Sequence, residues 1–180
     1  MSILEYNGAA IIAMVGKDCV GIASDKRLGL QYQTVATDFK KVFQMGDTLF
    51  LGLAGLATDV QTVHADCKYR VNMYKLREER DIKPATFSAM ISSMLYSRRF
   101  APWFVEPVVA GLDAKGKPYI WAADLLGCGL STSDFVVSGT CTENMMGMCE
   151  SLFKKDLEPD ELFEVLAQSL MASVDRDAYS

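Results

Sequence analysis

The stretch Ala10-Ile11-Ile12-Ala13-Met14-Val15, Gly16-Lys17-Asp18, Cys19-Val20-Gly21-Ile22-Ala23 is the one on which the fold turns. Two short apolar runs flank a Gly-Lys-Asp turn, which predicts a β-hairpin. Downstream, Leu28 to Ala36 is less regular. Lys41 to Met45 leads into a second turn at Gly46-Asp47, and Thr48 to Leu53 reads as a buried strand. The period then changes. Val60, Val63, Cys67, Val71 and Tyr74 recur at steps of three and four, the signature of one helix face. The charged stretch Lys75 to Arg80 closes that helix, and Pro84 stands where a first-turn proline belongs.

After Pro84, Phe87, Met90, Ile91, Met94 and Leu95 define a second amphipathic helix, ending near Arg98-Arg99. Strands return at Pro107 to Leu112, Pro118 to Leu125 and Phe135 to Ser138, with Asp113-Ala114-Lys115-Gly116 as a hairpin turn. Two helices follow, Thr142 to Phe153 and one from about Pro159 carrying Leu162, Phe163, Leu166, Leu170 and Val174. Strands, helix pair, strands, helix pair: this order predicts an α+β architecture. Two sheets face each other, and a helix pair covers each outer face.

The chain has 180 residues, half of them apolar, which suits a single domain over 1–180 with a sizeable core. Its 23 acidic and 18 basic residues give a net charge of −5. Nucleic-acid binding is not expected, because phosphate recognition needs clustered cations and only short pairs such as Lys40-Lys41 are present. Nor is a membrane span, since Ile11 to Val15 is far too short. Five cysteines lack CxxC or CxxH spacing and read as free thiols. With His64 as the only histidine, no metal site and no cofactor are expected.

A set of short segments carries more. Gly8-Ala9-Ala10, Ser24-Asp25-Lys26-Arg27, Phe39-Lys40-Lys41-Val42, Leu53-Ala54-Gly55 and Asp177-Ala178-Tyr179-Ser180 resemble the active-site scaffold of proteasome β-type subunits. The resemblance runs to Ser180. It implies the four-layer αββα sandwich of N-terminal-nucleophile hydrolases, with two antiparallel sheets between helix pairs. In that family further strands follow the last helix, so C-terminal strands are expected to be missing after Ser180.

The chemistry of such a site needs few parts. A hydroxyl on the first residue attacks the carbonyl, and that residue's free amine is the base. A lysine ammonium favours the deprotonated amine, an aspartate orients the lysine, and a backbone N–H holds the oxyanion. The resemblance assigns Asp25 and Lys41 to the last two side-chain roles and Gly55 to the oxyanion N–H. Leu53 matches the base of the substrate pocket. Gly139-Thr140-Cys141-Thr142 resembles the segment supporting the amine, with Thr140 replacing a serine, while Asp177 and Ser180 match the paired Asp-x-x-Ser motif. Each residue also has an ordinary structural reading: an ion pair, a strand end, a helix-end cluster.

The nucleophile position falls sixteen residues before Asp25 (25 minus 9), on Ala9. Alanine has no Oγ, so the resemblance implies a non-catalytic subunit, an inactive homologue of a threonine endopeptidase. It further implies partners: the other proteasome α and β subunits, in a hetero-oligomeric 28-mer of stacked seven-membered rings. Such a particle degrades proteins in the ATP- and ubiquitin-dependent route, in cytoplasm and nucleus, and polypeptide substrates are met through neighbouring active subunits. Closed rings need heterologous interfaces, for which Tyr32, Trp103 and Phe104 are available, core packing being the other account of each. The loop Asp124-Leu125-Leu126-Gly127-Cys128 matches one facing a trypsin-like neighbour's substrate channel. There Asp124 would attract basic side chains and Cys128 would line the wall, unless both are simply turn residues.

Two other readings compete. An active N-terminal-nucleophile endopeptidase would need Ser2, exposed by removal of Met1, but Ser2 lies seven residues before Ala9. A thiol enzyme would need Cys141 or Cys149 with His64, and no local motif supports that pairing.

Overall fold

The computed structural model describes residues 2–180; Met1, on whose removal the Ser2 alternative depends, lies outside the described residues. A short 3-10 turn, Ile3–Glu5, precedes β1 (Ala10–Gly16) and β2 (Cys19–Ser24). The hairpin β3 (Leu28–Leu30) and β4 (Gln33–Ala36) follows, then β5 (Val42–Gly46) and β6 (Leu49–Gly55). Helices α1 (Ala57–Glu78) and α2 (Pro84–Tyr96) lead to β7 (Val105–Leu112), β8 (Pro118–Ala123), β9 (Gly129–Thr132) and β10 (Phe135–Gly139). Helices α3 (Thr142–Leu152) and α4 (Pro159–Val174) complete the order.

Three antiparallel strands pair as β10-β1-β2, and five pair as β5-β6-β7-β8-β9. The layering follows from which face each strand buries. On β1, Ala10, Ile12 and Met14 pack with Met145, Cys149, Leu162 and Leu166 of α3 and α4. The alternate residues Ile11 and Ala13 pack with Ala54, Val108, Ala110 and Ile120 of the five-stranded sheet. A strand covered on both faces has no use for polar residues, which is why β1 reads as one apolar run. Small side chains let the sheets approach closely: a Cβ on Gly52 would lie 2.9 Å from Ile11 Cγ2.

The outer face of the larger sheet is covered by α1 and α2. Val60, Val63, Cys67 and Val71 of α1 and Phe87, Ile91, Met94 and Leu95 of α2 join Leu51, Leu53 and Val109 in one cluster. Pro84 and Pro159 each stand in the first turn of their helices, and Glu158 with Glu161 forms a capping box on α4. Helix–sheet–sheet–helix layering is therefore what the structure has.

Some local expectations are corrected. Strand β9 is an extra element: Gly129–Thr132 is exposed along one edge and lacks the apolar content that marks a strand in sequence. The irregular Leu28 to Ala36 resolves into a separate two-stranded hairpin with a register shift at Leu28/Gly29. Phe163, expected on the apolar face of α4, is 73% exposed, while Ser169 and Ser173 take buried places. Trp103 leans on the α1–α2 core with the Arg98 guanidinium 4.4 Å above its ring, whereas Tyr32 is largely exposed. No helix among the described residues is long and apolar enough to cross a membrane.

Candidate functional site

Pairing of β1 with β2 sets Asp25 beside the start of β1. The Asp25 N–H donates to Ala10 O (3.1 Å), and the Ala10 N–H donates to Asp25 Oδ1 (2.8 Å). The Arg27 N–H adds a third bond, to Oδ2 at 3.1 Å. Lys41 enters from the far sheet, anchored where the Leu53 N–H donates to its carbonyl at 3.0 Å. Its Nζ donates to both Asp25 oxygens (2.7 and 2.6 Å) and to Gly8 O at 3.1 Å. An ammonium has three protons, and these three acceptors match them. Both side chains are nearly sealed from solvent, 3% exposed for Lys41 and 6% for Asp25. Burial pushes the Lys41 ammonium below its ordinary value, and the facing Asp25 carboxylate pulls it back up.

Ala9 lies between this pair and β10, 2% exposed. Its carbonyl accepts the Thr140 N–H at 2.8 Å. Thr140 Oγ1 stands 3.2 Å from the same carbonyl and 2.6 Å from Asp177 Oδ2, and the shorter, charge-assisted contact is the stronger. Ser180 Oγ also donates to Asp177 Oδ2, at 2.6 Å. Gly139 adopts φ +109°, and a Cβ there would lie 2.0 Å from Ala9 O. Gly55, at φ +118°, ends β6 against Phe104.

Ala9, Asp25, Lys41, Gly55, Thr140, Asp177 and Ser180 thus converge from six separate parts of the chain. The space among Ala9, Lys41, Leu53, Gly55 and Val60 encloses about 0 Å³, too little for a water molecule. The side chain at position 9 is a methyl group, so no hydroxyl is presented there. In this arrangement the lysine grips a main-chain carbonyl and an aspartate, and joins two sheets.

Asp124 and Cys128 lie elsewhere, on the turn from β8 to β9. Asp124 Oδ1 accepts the N–H groups of Leu126 (3.0 Å) and Cys128 (2.8 Å), so this carboxylate shapes the turn. Both side chains are exposed and border an open cleft of about 760 Å³ between the edge strands β9 and β10, with Glu106 and Glu143 on its other walls.

The histidine and cysteines of the thiol reading are not brought together, while Ser2 borders a cleft shared with Gly55, Gly139 and Thr140. His64 stacks on Phe43 at 3.9 Å in the α1 layer, whereas Cys141 and Cys149 are buried on the α3 side. Burial pushes both thiols up to about 11, away from nucleophilic thiolate. Ser2 is engaged in a capping box with Glu5. Among the described residues, no group of three or more His, Cys, Asp or Glu side chains is placed to hold a metal.

Sequence reasoning passed over Asn7, which is buried and bonded to two separate segments, and the role of Arg27. The Arg27 guanidinium reaches Tyr179 O, Thr34 Oγ1 (2.9 Å) and Gln31 O (3.1 Å). The one available signal was the Asn7-Gly8 dipeptide, a turn mark that says nothing of a buried amide.

An αββα sandwich with a buried aspartate–lysine pair aimed at the head of its first strand defines the N-terminal-nucleophile hydrolase class. The family description "Proteasome subunit" matches residues 5–180, and the chain belongs to the proteasome subunit family. It is similar to the proteasome subunit beta type-3 of Drosophila melanogaster, 58% identical over 100% of this chain and 88% of that protein. The type-3 subunit of Oryza sativa subsp. japonica is 54% identical with the same coverage. The probable type-3 subunit of Schizosaccharomyces pombe is 53% identical, again over 100% of this chain and 88% of its own length.

Proposed function

We propose that this chain is a non-catalytic structural subunit of the proteasome core β ring, held in a 28-mer of stacked seven-membered α and β rings. One observation carries the reading: the ammonium that would activate an amine is bound to the carbonyl of Gly8, beside the methyl of Ala9. Covalent catalysis by this route needs a hydroxyl and a free amine on the same residue, and position 9 supplies neither. The likeness to subunits named beta type-3 supports the ring assignment. Large exposed side chains also support it, among them Phe163 and Met171 on α4, Tyr69 and Leu76 on α1, and Tyr32. Apolar surface of this kind is what obligate subunit contacts cover.

In the same reading the chain contributes to ATP- and ubiquitin-dependent protein degradation, in cytoplasm and nucleus, through active neighbours. Asp124 and Cys128 border the β9–β10 cleft, where a neighbour's substrate channel would meet an acidic wall.

The test is made on the purified particle. Intact-mass measurement of this subunit is combined with an electrophilic peptide probe that captures N-terminal hydroxyl residues. The expected result is a peptide chain uncleaved between Gly8 and Ala9 and no adduct, while other subunits of the particle are labelled. A probe adduct on this chain, or an N-terminus at Ala9, overturns the proposal.

A further inference from the structure

Residues 6–8 approach the site from outside the sandwich and make bonds that no role in catalysis requires. The Gly29 N–H donates to Asn7 O at 3.1 Å, and the Gln31 N–H donates to Tyr6 O at 2.9 Å. Both bonds come from one side of the β3–β4 hairpin, at Gly29 in β3 and at Gln31 in its turn, so the bent segment lies against that side of the hairpin. The Asn7 side chain then bridges two elements. Its Nδ2 donates to Gly29 O at 2.9 Å, and its Oδ1 accepts the Ala57 N–H, the first of α1, at 2.8 Å. Helix α1 has no side-chain cap from its own N-cap residue, Leu56, so the distant Asn7 supplies an acceptor there. Asn7 is only 7% exposed, and both ends of its amide are satisfied.

We infer that Tyr6–Gly8 is a strap that the chain lays over the free side of its own β3–β4 hairpin, and that the Asn7 side chain is the latch that holds it. Gly8 continues the strap at φ +72°, packed so tightly on residue 179 that a Cβ would lie 1.8 Å from Tyr179 O. Its carbonyl is the one that Lys41 holds. The strap is geometry within one chain and does not depend on the ring assignment.

Amide hydrogen exchange, read by mass spectrometry on the full chain in the assembly with which it purifies, tests this. In the unaltered protein the amides of Gly29, Gln31 and Ala57 are expected to exchange as slowly as those of β1. Asn7→Ala should speed all three by roughly tenfold or more, with α3 and α4 unchanged. Asn7→Asp keeps an acceptor for the Ala57 N–H but sets a charge against Gly29 O. It should therefore speed Gly29 and leave Ala57 slow. Fast exchange at these amides in the unaltered protein overturns the strap, and that measurement decides alone if Asn7→Ala does not assemble. Exchange in Asn7→Ala indistinguishable from the unaltered protein overturns the latch.

Discussion

At position 9 a methyl group stands where a hydroxyl would have been served by Lys41, yet Lys41 keeps a full set of acceptors. Two are the Asp25 oxygens and the third is Gly8 O. Removing Asp25 would strand a buried ammonium on a single carbonyl, and a lost partner of that kind costs about 3–5 kcal/mol. Asp25→Ala is therefore expected to lower the urea midpoint of the purified protein by that equivalent; a change below about 1 kcal/mol would contradict a structural role for the pair. The spacing of Asp25 and Lys41, and the alanine between flanking motifs, were legible in the sequence because catalytic scaffolds leave fixed residue types at fixed intervals. The use of Gly8 O as the third acceptor was not. Any residue has a carbonyl, and only folding shows where it points.

Among the elements, the turn from β8 to β9 is shaped by one carboxylate, to which the proposed function gives a second job. Asp124 Oδ1 takes the N–H groups of Leu126 and Cys128, and Gly127 at φ +84° sits against Ser92, whose hydroxyl donates to Gly127 O at 2.6 Å. Asp124→Asn keeps an acceptor for the turn and removes only the charge. In assembled particles it is expected to leave the melting temperature unchanged and to weaken cleavage after basic residues. Asp124→Ala would confuse the two effects by loosening the turn as well. Unchanged trypsin-like cleavage in the Asn variant would remove Asp124 from any role in a neighbour's specificity. The helices and buried strands were readable because their periods are written in apolar residues, as in Val60, Val63, Cys67 and Val71. Strand β9 and the hairpin β3–β4 were not, because exposed edges carry few apolar positions and owe their conformation to the partner strand.

For the whole molecule, the buried thiols fix a pH limit. Burial pushes Cys67 up to about 12 and Cys141 and Cys149 up to about 11, all above the ordinary 9.0. A folded value above the unfolded one means stability that is fully present below pH 9.0 and lost as pH climbs through the folded values. Lys41 works the other way: burial lowers it from 10.5, so folding gains with pH between its lowered value and 10.5. Three thiols outweigh one ammonium. The urea midpoint is expected to stay level from about pH 7 to about pH 8.5 and to fall above about pH 9; a midpoint rising through that range would refute it. Layer order was legible in the sequence at this scale, whereas the clamp that closes the site was not. Arg27 reaches the carbonyl of Tyr179 across a separation of 152 residues, and the Tyr179 ring stacks on Tyr32 at 5.2 Å. Contacts so distant in sequence carry a loop-closure cost that hairpins escape, so they form late in folding. During synthesis the hairpin β3–β4 leaves the ribosome long before its clamp does, and the first site to be encoded is among the last to be finished.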